Sequence, residues 1–431
     1  MADQTSFQTT SLGERGRPDP WVYLAGTVSW VLLMARFALF KDVERYRSMR
    51  YSDIEALWFH RGLVDGQIPY LQHDLEYPVL TGALMEVGRR IAGFVPGHGV
   101  DAFFGATSLI LFGFFLLLLW VHLRFHRPWD ALMIAASPLI VAAALINWDT
   151  LVMFFTSAAL LAWARRRHYL AGVMLGLGTA AKLYPILLFV PLAVLALRAS
   201  RMREFWQSAS MGGLAFAAVN LPVYAVAPEG WLNFWTFNAD RGADLGSFWL
   251  VLSQTGTYTG GVSLPIAILM VVGTSAIGVL MLAAPHRPRL AQGVLLIVLL
   301  FVVVNKVYSP QYCLWLLPLV VLALPSWRVW AVFTAGELVY FGAIWWYLAG
   351  LLSAGDGQPR LYWLAIVLRI VVHLWLAGLV VWYMWNPERD PIRRGGHDDP
   401  DGGVFDHAPD AGWLSRVSRR PEPWRATVPV P

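Results

Sequence analysis

The chain has a single cysteine, Cys313, in 431 residues, and charged side chains make up only 14% of it. One cysteine excludes an intramolecular disulfide and any cysteine-rich metal site. So little charge, against 57% hydrophobic residues and a mean hydropathy of +0.52, excludes a soluble multidomain protein. Alternating strand patterns and internal repeats are missing as well. So are the HExxH, EF-hand, P-loop and GxSxG motifs, which leaves hydrolase, calcium and nucleotide-triphosphate chemistry without a motif. The net charge is +5, but no basic stripe is interleaved with stacking aromatics, so nucleic acid is not an expected partner. Residues 1–20 are polar and lack the short apolar segment of a cleaved signal peptide.

What the sequence does have is apolar runs. Uncharged stretches of roughly 15–23 residues recur, each near the length that crosses the hydrocarbon layer, and helices are the only spanning element they allow. They fall near 21–40, 103–122, 131–146, 151–164, 169–181, 184–197, 209–226, 264–283, 290–304, 313–324, 329–350 and 362–385. The expected fold is therefore all-α, a polytopic membrane protein of about twelve spans, with interfacial helices in its first outer loop. Residues 79–95 form a further apolar stretch that carries Glu86, Arg89 and Arg90 and either dips into the membrane or crosses it.

The expected organisation is a cytoplasmic segment 1–20, a membrane domain 21–385, and a disordered cytoplasmic tail 386–431 rich in Pro, Gly, Asp and Arg. With 79–95 not crossing, Arg124, Arg127, Arg165–Arg167, Arg198, Arg287, Arg289, Arg328, Arg393 and Arg394 all fall on one side, the cytoplasmic one, with both termini. The expected membrane is the plasma membrane. Loops 41–77, 147–149, 182–185, 227–263, 305–312 and 352–360 then share the other side, and they hold the Asp, Lys, Asn, Gln and Tyr residues.

In loop 41–77, Arg45, Arg47 and Arg50 precede Asp53 and Glu55, while Ile54, Leu57 and Trp58 recur at helical spacing, which predicts an amphipathic interfacial helix. Its charges either simply face water, or Asp53 is a partly desolvated base suited to taking a proton from a sugar hydroxyl. Pro78 pushes Tyr77 out of helical geometry, so a helix starts there with Glu76 at its positive end, either as a cap or as a substrate contact. Asn147-Trp148-Asp149 sits between two helices, and Asp149 is either the N-cap of the second or, beside Trp148, a sugar ligand. Lys182 and Lys306 are either interfacial anchors or, with Tyr184, Tyr308 and Tyr312, a cradle for a lipid phosphate. Arg241 offers a planar fork to the same anion. Trp231, Phe234, Trp235, Phe237, Phe248 and Trp249 form an interfacial belt or a guide for a prenyl chain. Glu337, Arg369 and His373 lie within the last two spans, where Glu337 and Arg369 are expected to pair across helices or to line a proton or substrate path.

Asp53, then Gly66-Gln67-Ile68-Pro69-Tyr70 and Glu76-Tyr77-Pro78, then Ala180-Ala181-Lys182-Leu183-Tyr184-Pro185 and Lys306-Val307-Tyr308-Ser309-Pro310-Gln311-Tyr312, in that order, resemble the GT-C superfamily of integral-membrane glycosyltransferases. The chain looks closest to family 87, the bacterial polyprenol-phosphate-mannose-dependent α-mannosyltransferases of phosphatidylinositol mannoside synthesis and their relatives. The likeness covers about 21–385, with Tyr77-Pro78-Val79 standing where the commoner form has Tyr-Pro-Pro.

The resemblance implies an inverting transfer, without metal or other cofactor, of a sugar such as mannose from a polyprenyl-phosphate donor to a glycolipid or glycan hydroxyl. It implies an extracytoplasmic active site among membrane lipids. By position Asp53 is the base. Lys182, Arg241 and Lys306 would hold the leaving phosphate, oriented by Tyr184, Tyr308 and Gln311, and Glu76, Tyr77, Asn147, Trp148 and Asp149 would bind the sugar. The competing reading, a secondary transporter or lipid-linked sugar flippase, predicts inverted repeats and ionisable groups at mid-membrane. Glu337 with Arg369 speaks for it, and the lack of a repeat speaks against it.

Overall fold

A computed structural model describes residues 18–417 apart from 98, 354 and 356. Among the described residues it is helical, with no strand beyond one bridge between Pro69 and His73. α1 (Asp19–Leu39) follows Pro18, and α2 (Asp53–His60) begins at Ser52, whose hydroxyl accepts from the Ile54 amide at 3.2 Å. α3 (Val79–Ala92) starts where Pro78 takes an extended ψ of 159°, as the Tyr77-Pro78 step predicts. After α4 (Gly99–His122), the short α5 (Leu132–Ala135) and α6 (Pro138–Ala143) are separated at Ser137-Pro138. There follow α7 (Asp149–Ala164), α8 (His168–Ala181), α9 (Phe189–Arg198), α10 (Met202–Val226), α11 (Pro228–Asp240) and α12 (Phe248–Gln254). α13 (Ser263–Ala283), α14 (Leu290–Val304), α15 (Cys313–Ala323), α16 (Trp327–Leu348) and α17 (Arg360–Trp385) complete the bundle.

Among the described residues, six helices, α1, α4, α10, α13, α16 and α17, are long and apolar enough to cross a membrane. The other expected spans are shorter. The 15 residues of α14 rise only about 22 Å, against a hydrocarbon layer of about 30 Å. The short helices compensate by position: α7, α14 and α15 are buried along most of their length, while α10 and α13 expose theirs. The protein is thus an all-α polytopic membrane protein, as predicted, with long helices carrying the exposed apolar surface and short ones filling the interior.

The closest helix pair is α8 against α10. A side chain at Gly172 would meet the Ser208 carbonyl oxygen at 2.0 Å, and one at Gly176 would meet the Gly212 carbonyl oxygen at 2.3 Å. Two small residues four apart on each helix let the backbones touch, so van der Waals contact replaces the hydrophobic drive that lipid removes.

The expected disordered tail is corrected over its described part: residues 387–414 pack as a strap across one end of the bundle. Arg289 meets Asp390 at 2.7 Å, Arg198 meets Asp410 at 2.9 Å, and both Arg287 and Arg393 reach Asp398, at 3.0 and 3.1 Å. Arg287 also donates to the carbonyls of Phe405 and Ala408. The strap needs few aliphatic residues because its carboxylates neutralise arginines at the helix ends, with Phe405 and Ile392 as buried anchors. Residues 418–431 and 1–17 lie outside the described residues. α7, α8 and α14 each run from this end, at Trp163, His168 and Arg289, to the other end, where Asp149, Lys182 and Asn305 begin the polar site.

Candidate active site

At that other end is a cavity of about 690 Å³. α2 supplies its acid. The Ser52 hydroxyl donates to the Leu145 carbonyl at 2.6 Å and the Asp53 amide donates to the Ile146 carbonyl at 2.6 Å, which pins the start of α2 to the α6–α7 connection. The Asp53 carboxylate faces the cavity and accepts from the Tyr77 hydroxyl at 2.8 Å. Burial raises its pKa above the ordinary value, opposed by the Tyr77 and Tyr51 hydroxyls and the Lys182 charge.

The other face of the same tyrosine carries a cation, with Lys182 Nζ lying 4.8 Å from the Tyr77 ring centre. Lys182 pairs with Asp149 at 3.1 Å, and Asp149 also accepts from the Trp315 indole at 2.9 Å. Trp315 in turn stacks between Tyr184 and Tyr312, at 4.7 and 3.7 Å. A continuous layer of aromatic rings therefore holds the ammonium group against the cavity wall.

Across the cavity, the Asp244 amide donates to the Lys306 carbonyl at 2.8 Å, tying loop 227–263 to loop 305–312. Arg241 is paired with Asp244 at 2.6 Å. Lys306 Nζ reaches only neutral acceptors, the Ala239 carbonyl at 3.0 Å and the Ser263 hydroxyl at 3.4 Å. Among the described lysines and arginines lining the cavity, Lys306 is the one with no carboxylate partner. Burial, and then the charge of Arg241, hold its pKa below the ordinary value. Gln311 is buried beside it, with its side-chain oxygen lacking a partner.

Of the residues singled out in the sequence, Asp53, Glu76, Tyr77, Lys182, Tyr184, Arg241, Lys306 and Gln311 line this one cavity. Glu76 does not cap α3; both its oxygens accept from Arg61, at 2.6 and 2.9 Å. Asn147, Trp148 and Asp149 do not line the cavity and form the layer beneath it. Asn147 accepts from the Asp149 amide at 2.9 Å just ahead of α7, Trp148 packs against Tyr77 at 5.7 Å, and Asp149 is the first residue of α7 and the counter-ion of Lys182. Tyr308 turns away too, because its hydroxyl donates to Glu337 at 2.9 Å inside the bundle. Glu337 pairs with His373 at 2.6 Å rather than with Arg369, which instead lies 3.6 Å from the centre of the Tyr308 ring and donates to the Gly246 carbonyl at 2.9 Å.

Sequence reading missed Tyr46, His60, Asn238, Ser309 and Trp345 among the lining residues. Ser309 lay inside a noted motif, whereas Trp345 sits in an apolar span and gave no signal. The described side chains that come close enough to share a metal ion are Asp398, Asp406 and His407, in the strap, where Asp398 is already engaged by Arg287, Arg393 and His286.

A bundle of membrane-length helices with a polar, carboxylate-bearing cavity at one end has the build of an integral-membrane transferase. Residues 91–305 match the model of glycosyltransferase family 87. The chain belongs to that family, whose members are GT-C type membrane glycosyltransferases, and it is a membrane glycosyltransferase. The matched stretch contains Asn147–Asp149, Lys182, Tyr184 and Arg241 and stops one residue before Lys306, while Asp53 and Glu76 precede it. No curated protein matches the chain.

Proposed function

We propose that the protein transfers a sugar, mannose being the expected one, from a polyprenyl-phosphate donor to a hydroxyl of an envelope glycolipid or glycan, with inversion. The observation that carries this reading is the shared cavity of Asp53 and Lys306, a basic carboxylate facing a cation with no carboxylate partner. Asp53 accepts the proton of the acceptor hydroxyl as that oxygen bonds to the anomeric carbon. On the opposite face the bond from that carbon to the phosphate oxygen breaks, and the electron pair leaves with the polyprenyl phosphate. A phosphate needs no acid to depart, so one base and a cationic cradle are enough. Lys306 is the first ligand of that anion, with Arg241 and Lys182 adding charge and Gln311 and Tyr184 shaping the pocket. Glu76 and Tyr77 remain as sugar ligands, and Phe234, Phe237 and Phe301 give the prenyl chain an apolar approach.

The arginines clustered at the strap end support a cytoplasmic strap and an extracytoplasmic cavity in the plasma membrane. The deciding experiment is Asp53→Asn in membranes supplied with a radiolabelled polyprenyl-phosphate sugar. Loss of a general base lowers transfer by about 100- to 10,000-fold with expression intact. Full residual activity removes Asp53 from the role.

A further inference from the structure

A second cavity, a groove of about 1010 Å³, runs along the flank of the bundle between α1, α6, α16 and α17. Leu32, Val141, Leu338, Val339, Leu364 and Leu368 are among its lining residues, and nearly all the others are apolar. Such a surface holds no ordered water and suits a hydrocarbon chain.

The groove's polar lining residue is Arg36. Its Nη1 donates to the Met49 carbonyl at 2.9 Å and its Nη2 to the Ala142 carbonyl at 3.0 Å, both neutral acceptors. Its Nε–H is buried without any acceptor. Arg50 shares the same aromatic ring, since the two guanidinium carbons lie 5.2 and 5.7 Å from the centre of Phe37. Arg50 has Glu55 at 3.1 Å, whereas the acceptors of Arg36 are both backbone carbonyls. An unneutralised cation in an apolar, membrane-facing setting is costly, and an anion brought to it recovers that cost.

We propose that this groove binds an anionic phospholipid, one acyl chain lying along α16 and α17 and the phosphate on Arg36. A zwitterionic lipid also offers a phosphate, but its headgroup cation would add to the excess charge of Arg36 and Arg50. The groove backs onto the reaction cavity. Phe341 lines the groove and packs edge-on at 5.9 Å against Trp345, and Trp345 closes an aromatic wall of the cavity with Tyr46 and Tyr51 at 6.1 and 5.3 Å. A lipid bound there buttresses that wall without taking part in transfer.

The test uses the full-length protein, delipidated in detergent and titrated with phosphatidylglycerol or phosphatidylcholine under native mass spectrometry. The wild type is expected to bind phosphatidylglycerol about tenfold more tightly. Arg36→Gln is expected to bind both lipids equally weakly, and Val339→Trp, which fills the groove and leaves Arg36 in place, to lose both. Equal binding of the two lipids by the wild type, or a preference that survives Arg36→Gln, would overturn the proposal. Phosphatidylglycerol retained at full affinity by Val339→Trp would overturn it too, and if Arg36→Gln does not fold this arm alone decides. None of these readouts depends on sugar transfer.

Discussion

Tyr77 touches both halves of the proposed chemistry, because its hydroxyl donates to Asp53 and its ring carries Lys182. A hydrogen bond to the charged form lowers a carboxyl pKa, so removing the donor raises it. Asp53 already sits above the ordinary carboxylate range through burial, and transfer needs it ionised. Tyr77→Phe is therefore expected to move the acid limb of kcat/KM to higher pH, with the plateau lowered by the loss of a sugar contact. A pH profile of the two proteins checks this, and an unmoved acid limb would mean that the limb belongs to another group. Lys306→Ala is expected to do something different. It removes a charge-assisted contact to phosphate, so the donor KM should rise about 10- to 100-fold with the acid limb in place. An unchanged donor KM would take the phosphate away from Lys306.

At the scale of elements, the two loops that meet across the cavity are fixed from below by α16 and α17. Glu337 holds the Tyr308 hydroxyl and His373, Tyr340 donates to the Tyr308 carbonyl at 2.6 Å, and Tyr362 accepts from the Gly246 amide at 2.9 Å. Gly246 has a φ of +75°, and a side chain there would meet the Tyr340 hydroxyl at 2.0 Å, so only glycine fits this crossing. Glu337→Leu strands a buried hydroxyl and an imidazole, each costing roughly 1–3 kcal/mol. The expected outcome is a lower thermal midpoint and a raised donor KM, measured side by side; a normal midpoint would show that the buried acid is not structural. Gly176→Leu attacks a different joint. Its side chain would drive α8 off α10, and the roughly 1–3 kcal/mol typical of overpacking is a lower expectation because the obstacle is backbone. Loss of folded protein in detergent is the readout.

Across the whole molecule, the strap closes the end of the bundle opposite the cavity, and its carboxylates are tuned unequally. Burial would raise Asp398, but His286, Arg393 and Arg287 together bring it well below the ordinary range. Its contribution to stability is present at pH values above the unfolded carboxyl, near 3.9, and is lost only in strong acid. Burial pushes Asp399 up to about 7 and Asp401 up to about 6. For raised groups the sign reverses: their contribution is full below the unfolded pKa and fades as pH rises through about 6 and then about 7. Hydrogen exchange of residues 398–406, corrected for intrinsic base catalysis, is therefore expected to speed up as pH rises from the unfolded carboxyl value, near 3.9, and to level off above about 7. Asp399→Asn should remove the upper part of that change, and a flat profile in the wild type would contradict it.

The sequence alone determined the class of fold. Long uncharged runs admit only helices in lipid, and Tyr77-Pro78, Ser52 and Ser137-Pro138 marked element boundaries through local backbone chemistry. It also marked the reactive groups: the chain has three lysines, and the two noted in polar connections, Lys182 and Lys306, both line the cavity with Asp53. Pairing was decided elsewhere. That Lys182 is neutralised by Asp149, that Glu337 takes His373 instead of Arg369, and that an Asp- and Gly-rich tail clasps Arg198, Arg287 and Arg289 at helix ends and turns all follow from side chains far apart in the chain. Residue type says that a buried charge needs a partner; which partner it finds depends on where the helices bring their ends together, and only the packed bundle fixes that.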